Sequence, residues 1–265
     1  MKFTTFLIAI AAVLAIQSDL KASGPIPLKI SVGGVERDAL VFLPSKKTAK
    51  APLILAFHGH GGNAKTAAHF MGLQNIWPEA IVVYPQGLPT KTTVDPQGLK
   101  LGWQISPGQN GDRDLKLVDE ILTRLHQKFS IDDRRIYATG FSNCGRFSYI
   151  LLAQRPNLFA AFGICAGLIR EPVRLTEPKP LLHIAGEKDE VAPFQVQQQT
   201  IALARQINGC SDQGEPCGQG CTLYPSSKNA PVEVIIHHGG HIYPATAPAL
   251  IVKFFQAHAA TPARG

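Results

Sequence analysis

Six short, nearly continuous apolar runs punctuate the chain, and each ends in glycine or polar residues: "APLILAFHGHGGN" (51–63), "AIVVYPQG" (80–87), "RRIYATGFS" (134–142), "FAAFGICAG" (159–167), "KPLLHIAGEKD" (179–189) and "APVEVIIHHGGH" (230–241). Runs of this length without polar alternation read as strands buried on both faces. Upstream, "LKISVGGVERDALVFLP" holds two apolar-rich runs around Gly33-Gly34, which predicts a hairpin. Helical periodicity fills several of the gaps. In "DRDLKLVDEILTRLHQKF" (112–129), Leu115, Val118, Ile121, Leu122 and Leu125 share one face, with Asp112 and Asp114 near the positive N-terminal end. "NCGRFSYILLAQRP" (143–156) is stopped by Pro156, "PFQVQQQTIALARQIN" (193–208) starts at Pro193, and "TAPALIVKFFQAHA" (246–259) is the last helix.

Strands alternating with helices predict an α/β class protein, a mostly parallel sheet with helices on both faces. The polar groups gather just after the strands, at the carboxyl edge where such sheets bind ligands. The segment 88–109, rich in Pro and Gly and holding Asp95 and Trp103, reads as an ordered surface excursion near that edge.

Composition narrows the class. Of 265 residues, 45% are hydrophobic and 17% charged, which excludes general disorder. Lys2 followed by the apolar run from Phe6 to Ile16, and then by Ser18, Ala22 and Ser23, reads as a signal peptide over 1–22 and a single domain over 23–265. That run is short for a bilayer span, so no stable membrane insertion is expected after cleavage, and the localisation is secreted or periplasmic. The net charge of +7 is not organised into a Lys/Arg stripe interleaved with aromatics, so no nucleic-acid partner is expected. Five cysteines in an exported chain suggest disulfides. Cys210, Cys217 and Cys221 lie close together at a spacing unlike paired zinc ligands, which reads as a disulfide-tied loop. Cys144 and Cys165 follow or end neighbouring elements, and a bond between them is a further expectation.

The chemistry begins at "GFSNCG". A strand enters Ser142 and a helix leaves it, the context of a nucleophile elbow, although Cys144 stands where Gly-x-Ser-x-Gly has its second glycine. A serine needs a base, and the base an orienting acid. "HIAGEKDEVAP" offers Asp189 after its strand, with Glu187 and Glu190 as competitors. "IIHHGGHIYP" offers His241, presented by Gly239-Gly240, with His237 and His238 as competitors still on or at the strand. "FHGHGGN" follows the first long strand, so the backbone N–H groups of His60 and Asn143 are the candidate oxyanion donors. No carboxylate stands at a spacing that would make His58 and His60 metal ligands, and no metal or cofactor is expected. Trp103 and Tyr243 are candidate substrate contacts.

With these segments in order, the chain resembles the secreted α/β-hydrolase esterases grouped as polyhydroxybutyrate depolymerase-like and feruloyl esterase-like proteins. The residues that carry the resemblance include "LAFHGHGGN", "VVYPQG", Gly102-Trp103, "SIDDRRIYATGFSNCG", "GEKDEVAP", "NGC" at Cys210 and "GGHIYP". It implies the α/β-hydrolase fold with an eight-stranded sheet, a triad of Ser142, Asp189 and His241, and oxyanion amides at His60 and Asn143. It also implies a disulfide from Cys210 to Cys221, or failing that to Cys217. The expected activity is carboxylic-ester hydrolysis through an acyl-enzyme. The expected substrate is a feruloyl or acetyl ester of plant polysaccharide, or a hydroxyalkanoate oligomer. A serine peptidase on the same fold and a noncatalytic binding protein are the rival readings.

Overall fold

A computed structural model describes residues 24–260; the expected signal segment lies outside the described residues. The expected hairpin forms as β1 (Ile26–Val32) and β2 (Val35–Phe42), and β1 buries every second residue, as a one-sided strand should. The six apolar runs become β3 (Ala51–Phe57), β4 (Ile81–Pro85), β7 (Ile131–Phe141), β8 (Ala161–Cys165), β9 (Leu181–Gly186) and β12 (Val232–His237). These pair in parallel in the order β4-β3-β7-β8-β9-β12. Two further strands of two residues, β5 (Leu88–Pro89) and β6 (Leu101–Gly102), close the base of the 88–109 excursion.

Among the described residues the sheet has ten strands rather than eight. The eight expected strands are all present, and the polar stretch after Cys210 folds as a hairpin, β10 (Glu215–Gly218) and β11 (Cys221–Tyr224), which docks antiparallel on β12. That hairpin decides the disulfide. Cys217 and Cys221 flank its turn with Cα atoms 5.1 Å apart and are bonded. Cys210 instead bridges Ser226 beside the end of the preceding helix, so the expected bonds from Cys210 to Cys221 or Cys217 do not form.

Among the described residues six helices cover the sheet: α1 (Ala64–Met71), α2 (Leu73–Ile76), α3 (Arg113–Lys128), α4 (Asn143–Gln154), α5 (Phe194–Asn208) and α6 (Ala247–Ala257). Two-residue alternation divides each central strand between two cores. Leu53, Leu55 and Phe57 of β3 face α3, α4 and α5, whereas Ile54 and Ala56 face α1, α2 and α6. A buried ion pair bolts β2 to the excursion. Arg37 of β2 lies 2.9 Å from Asp114 of α3, and the other carboxylate oxygen of Asp114 accepts the Gln104 N–H at 2.8 Å. Asp114 therefore does more than favour the helix terminus. Removing either partner strands a desolvated charge, which typically costs about 3–5 kcal/mol.

Candidate active site

The backbone at Ser142 has φ 65° and ψ −120°, a conformation that L-residues other than glycine rarely adopt. It is the sharp turn from β7 into α4 that holds the hydroxyl out at the carboxyl edge. Close packing of strand on helix makes the turn possible. A Cβ on Gly140 would sit 2.6 Å from the Cys144 sulfur and 2.9 Å from its carbonyl carbon. Cys144 is fully buried, and its sulfur accepts from the Phe141 N–H and lies 2.7 Å from the Phe57 oxygen. It thus ties β7, α4 and β3 together at the place where the motif has glycine. The Cys165 sulfur points elsewhere, toward the Ile242 oxygen at 3.8 Å, and the expected Cys144–Cys165 bond is absent. Burial raises the pKa of both thiols, so neither is a thiolate.

The three residues expected to act together meet in one hydrogen-bonded line. Ser142 Oγ lies 2.7 Å from His241 Nε2, and His241 Nδ1 lies 2.8 Å from Asp189 Oδ2. With the carboxylate accepting from Nδ1–H, the neutral ring leaves Nε2 free to take the serine proton. The Asp189 side chain is wholly buried while His241 keeps slight access to solvent. Three of the four competing groups are engaged elsewhere. Glu187 pairs with the exposed His238 at 2.6 Å, and the His237 Nδ1 accepts from the Gly239 N–H.

Behind Asp189 runs a buried chain that carries the orientation back into the core. The Val191 and Ala192 amides donate to Asp189 Oδ1, and Gln197 Nε2–H donates to Oδ2 at 3.2 Å and to the Ala192 oxygen at 2.6 Å. Two acceptors on the Gln197 nitrogen fix its amide, so Oε1 faces His183 Nε2 at 3.0 Å and must accept from it. His183 Nδ1 then accepts from the Tyr149 hydroxyl at 2.7 Å. Complete burial pushes the His183 pKa down to about 4, which keeps the ring neutral as this chain requires.

The oxyanion side is held by the excursion. His60 and Asn143 both line the cleft with Ser142 and His241. Among the described residues their backbone amides donate no hydrogen bond, and that of Asn143 is an orphan of the first turn of α4. The Asn143 side chain grips Trp103 reciprocally, accepting from its N–H at 2.8 Å and donating to its oxygen at 3.2 Å. The Trp103 indole N–H donates to the His58 oxygen at 2.8 Å. His60 Nε2–H donates to Asp95 at 3.1 Å, and the Gly98, Leu99 and Lys100 amides fold around the same carboxylate. These donors, the Lys100 amide foremost, lower the Asp95 pKa. Gly102 is obligatory here, since a Cβ would lie 2.6 Å from His60 Nδ1.

Trp103 and Tyr243 do not line the cleft. Trp103 is fully buried against Phe57 and Phe147, and Tyr243 packs between Phe70 and Phe141. Trp103 is framework, because its aromatic neighbours are core; Tyr243 is partly buried, beside the exposed Phe70 and the partly buried Phe141, neither of which lines the cleft. The wall includes Arg146 and Arg170, which sequence reasoning passed over. The signal for Arg146 was its position one helical turn beyond Ser142.

No protein-family profile matches the chain. It is 28% identical over 200 residues to the bifunctional acetylxylan esterase/xylanase XynS20E of Neocallimastix patriciarum, an alignment covering 74% of this chain and 27% of that one. It is 28% identical over 220 residues to the probable feruloyl esterase C of Aspergillus clavatus, covering 77% of each. The chain thus spans 27% of the length of the first relative and 77% of the second. An acetyl xylan esterase from Aspergillus awamori superposes with a TM-score of 0.65 at 14% identity, over 87% of this chain and 99% of that one. The chain has the α/β-hydrolase fold, and feruloyl and acetylxylan esterases are its homologues. Within this α/β-hydrolase fold the candidate site lies at the carboxyl ends of β3, β7, β9 and β12, where each candidate group leaves its strand.

Proposed function

We propose that the protein is an exported carboxylic-ester hydrolase that works through Ser142, His241 and Asp189. The observation that carries this reading is the unbroken line from Asp189 through His241 to Ser142, opening on the cleft. Ser142 Oγ adds to the ester carbonyl carbon while its proton passes to His241 Nε2. The carbonyl oxygen gathers the negative charge beside the His60 and Asn143 amides. Expulsion of the alcohol, protonated by His241, leaves an acyl-Ser142 ester. Water, deprotonated by His241, then releases the acid. Asp189 keeps His241 in the tautomer that accepts and stabilises the imidazolium.

Acetyl or feruloyl esters are the substrates suggested by the names of the relatives, and hydroxyalkanoate oligomers remain an arm of the test. The Cys217–Cys221 disulfide supports export, because such bonds persist in oxidising compartments. Among the described residues no helix is long and apolar enough to cross a membrane. The test is hydrolysis of 4-nitrophenyl acetate, methyl ferulate and hydroxybutyrate oligomers, with fluorophosphonate labelling of the folded protein. The expected result is turnover and a label on Ser142, both lost in Ser142→Ala. Full activity in Ser142→Ala would refute the proposal.

A further inference from the structure

The cleft wall carries positive charge that ester hydrolysis alone does not call for. Arg146 stands on α4 one turn past Ser142, and Arg170 lies on the loop after β8; both line the cleft with Ser142 and His241. No aspartate or glutamate lines this cleft. Among the described residues neither arginine forms an ion pair. Arg37, Arg134, Arg135 and Arg155, by comparison, each lie against an aspartate.

Arg146 is half-buried, and its Nε is shielded from solvent without a partner. Burial, and after it the like charge of Arg170, disfavours the charged form of Arg146. Arg170 is exposed, so the cost falls on the half-buried Arg146, whose charge beside a like charge is relieved when an anion joins the two. Planar, forked guanidinium groups match the paired oxygens of a carboxylate, as they do those of a phosphate.

We propose that Arg146 and Arg170 form a carboxylate subsite, so that the ester cleaved at Ser142 is one that also bears a free carboxylate. This rests on the reading of Ser142 as nucleophile. The carboxylate has two possible sources. It belongs to the acyl part, as in a dicarboxylic hemiester, or to the alcohol part, as in an ester of a hydroxy acid.

Two matched pairs separate these sources: 4-nitrophenyl hydrogen succinate against its methyl ester, followed by nitrophenol release, and 3-acetoxybutyrate against its methyl ester, followed by acetate release. Charge-assisted hydrogen bonds typically contribute about 1.5–3 kcal/mol, so the charged member of one pair should be favoured roughly ten- to hundredfold in kcat/KM. In the double variant Arg146→Gln/Arg170→Gln that ratio should fall toward one, mainly through KM for the charged ester. Arg146→Lys should fall between, having charge without the fork. Calorimetric binding of the same four esters to Ser142→Ala reads the subsite without turnover, while fluorophosphonate labelling separately decides the role of Ser142. A charged-to-neutral ratio of one or below in both pairs, in turnover and in binding, overturns the proposal. So does a preference that the double variant leaves unmoved.

Discussion

Replacing Gln197 by leucine removes the link between the core and Asp189 while nearly preserving side-chain volume. Three contacts go: the donation to Asp189 at 3.2 Å, the donation to the Ala192 oxygen at 2.6 Å, and acceptance from His183 at 3.0 Å. The His183 N–H is left without a partner at a fully buried site. An unsatisfied buried polar group costs about 1–3 kcal/mol, so a loss of about 2 kcal/mol is expected. For a chain of this size that lowers Tm by roughly 4–8 °C. Asp189 keeps the Val191 and Ala192 amides at 3.0 and 2.8 Å and stays close to His241. Catalysis should therefore weaken rather than vanish. We expect kcat on 4-nitrophenyl acetate to fall about tenfold, equivalent to about 1.4 kcal/mol of transition-state stabilisation, with little change in KM. Thermal unfolding and steady-state kinetics across pH measure both effects. A variant with lower Tm but wild-type kcat at every pH would show that the chain stabilises the fold without orienting the acid, and that reasoning would fail.

Three other outcomes follow from the same geometry. Asp95→Ala frees the His60 side chain and the loop amides around it; it should lower kcat about tenfold while leaving Tm within a few degrees, and unchanged kcat would contradict a role for this loop in holding His60. His183, with its pKa pushed down to about 4, binds its proton less readily folded than unfolded. Its contribution is fully present above the ordinary histidine value near 6.5 and is lost as pH falls from there through about 4, amounting to about 3 kcal/mol; urea unfolding across that window, with the His183 ring signal still neutral at pH 5, checks it. Non-reducing peptide mapping should find one bond, Cys217–Cys221, with Cys144 and Cys165 alkylated only after unfolding.

What could be read from the sequence were features tied to apolar strand ends. Ser142, Asp189 and His241 each leave a strand through a glycine-bearing or polar turn, and such turns are visible as breaks in hydrophobicity. The conspicuous misses had no apolar period. The helices α1 and α2 are short, and α1 is alanine-rich, although the reciprocal cap between Asn63 and Thr66 marks the start of the first. The β10–β11 hairpin is polar, so its strands carry no apolar signal and its cysteine pairing does not follow from the sequence. His183 lay in plain view inside a buried run. Nothing local says that its partners are Tyr149 and Gln197 on two different helices, because that pairing exists only after the sheet is assembled. Trp103 failed for the opposite reason: an aromatic residue in a loop near the site invites a binding role, yet this loop folds back into the core.

The ends of the ten-stranded sheet bear on how the protein behaves at high concentration. An open sheet edge offers a row of free N–H and C=O groups that a second chain can extend. At one end β10 is four residues long, exposed, interrupted by Pro216 and slipped in register before Gly218, and its turn is closed by the disulfide. At the other end β1 turns Pro27 and Lys29 outward. Proline has no N–H to donate, and lysine must be desolvated before a strand can settle beside it. Both ends thus carry features that disfavour pairing with a second chain.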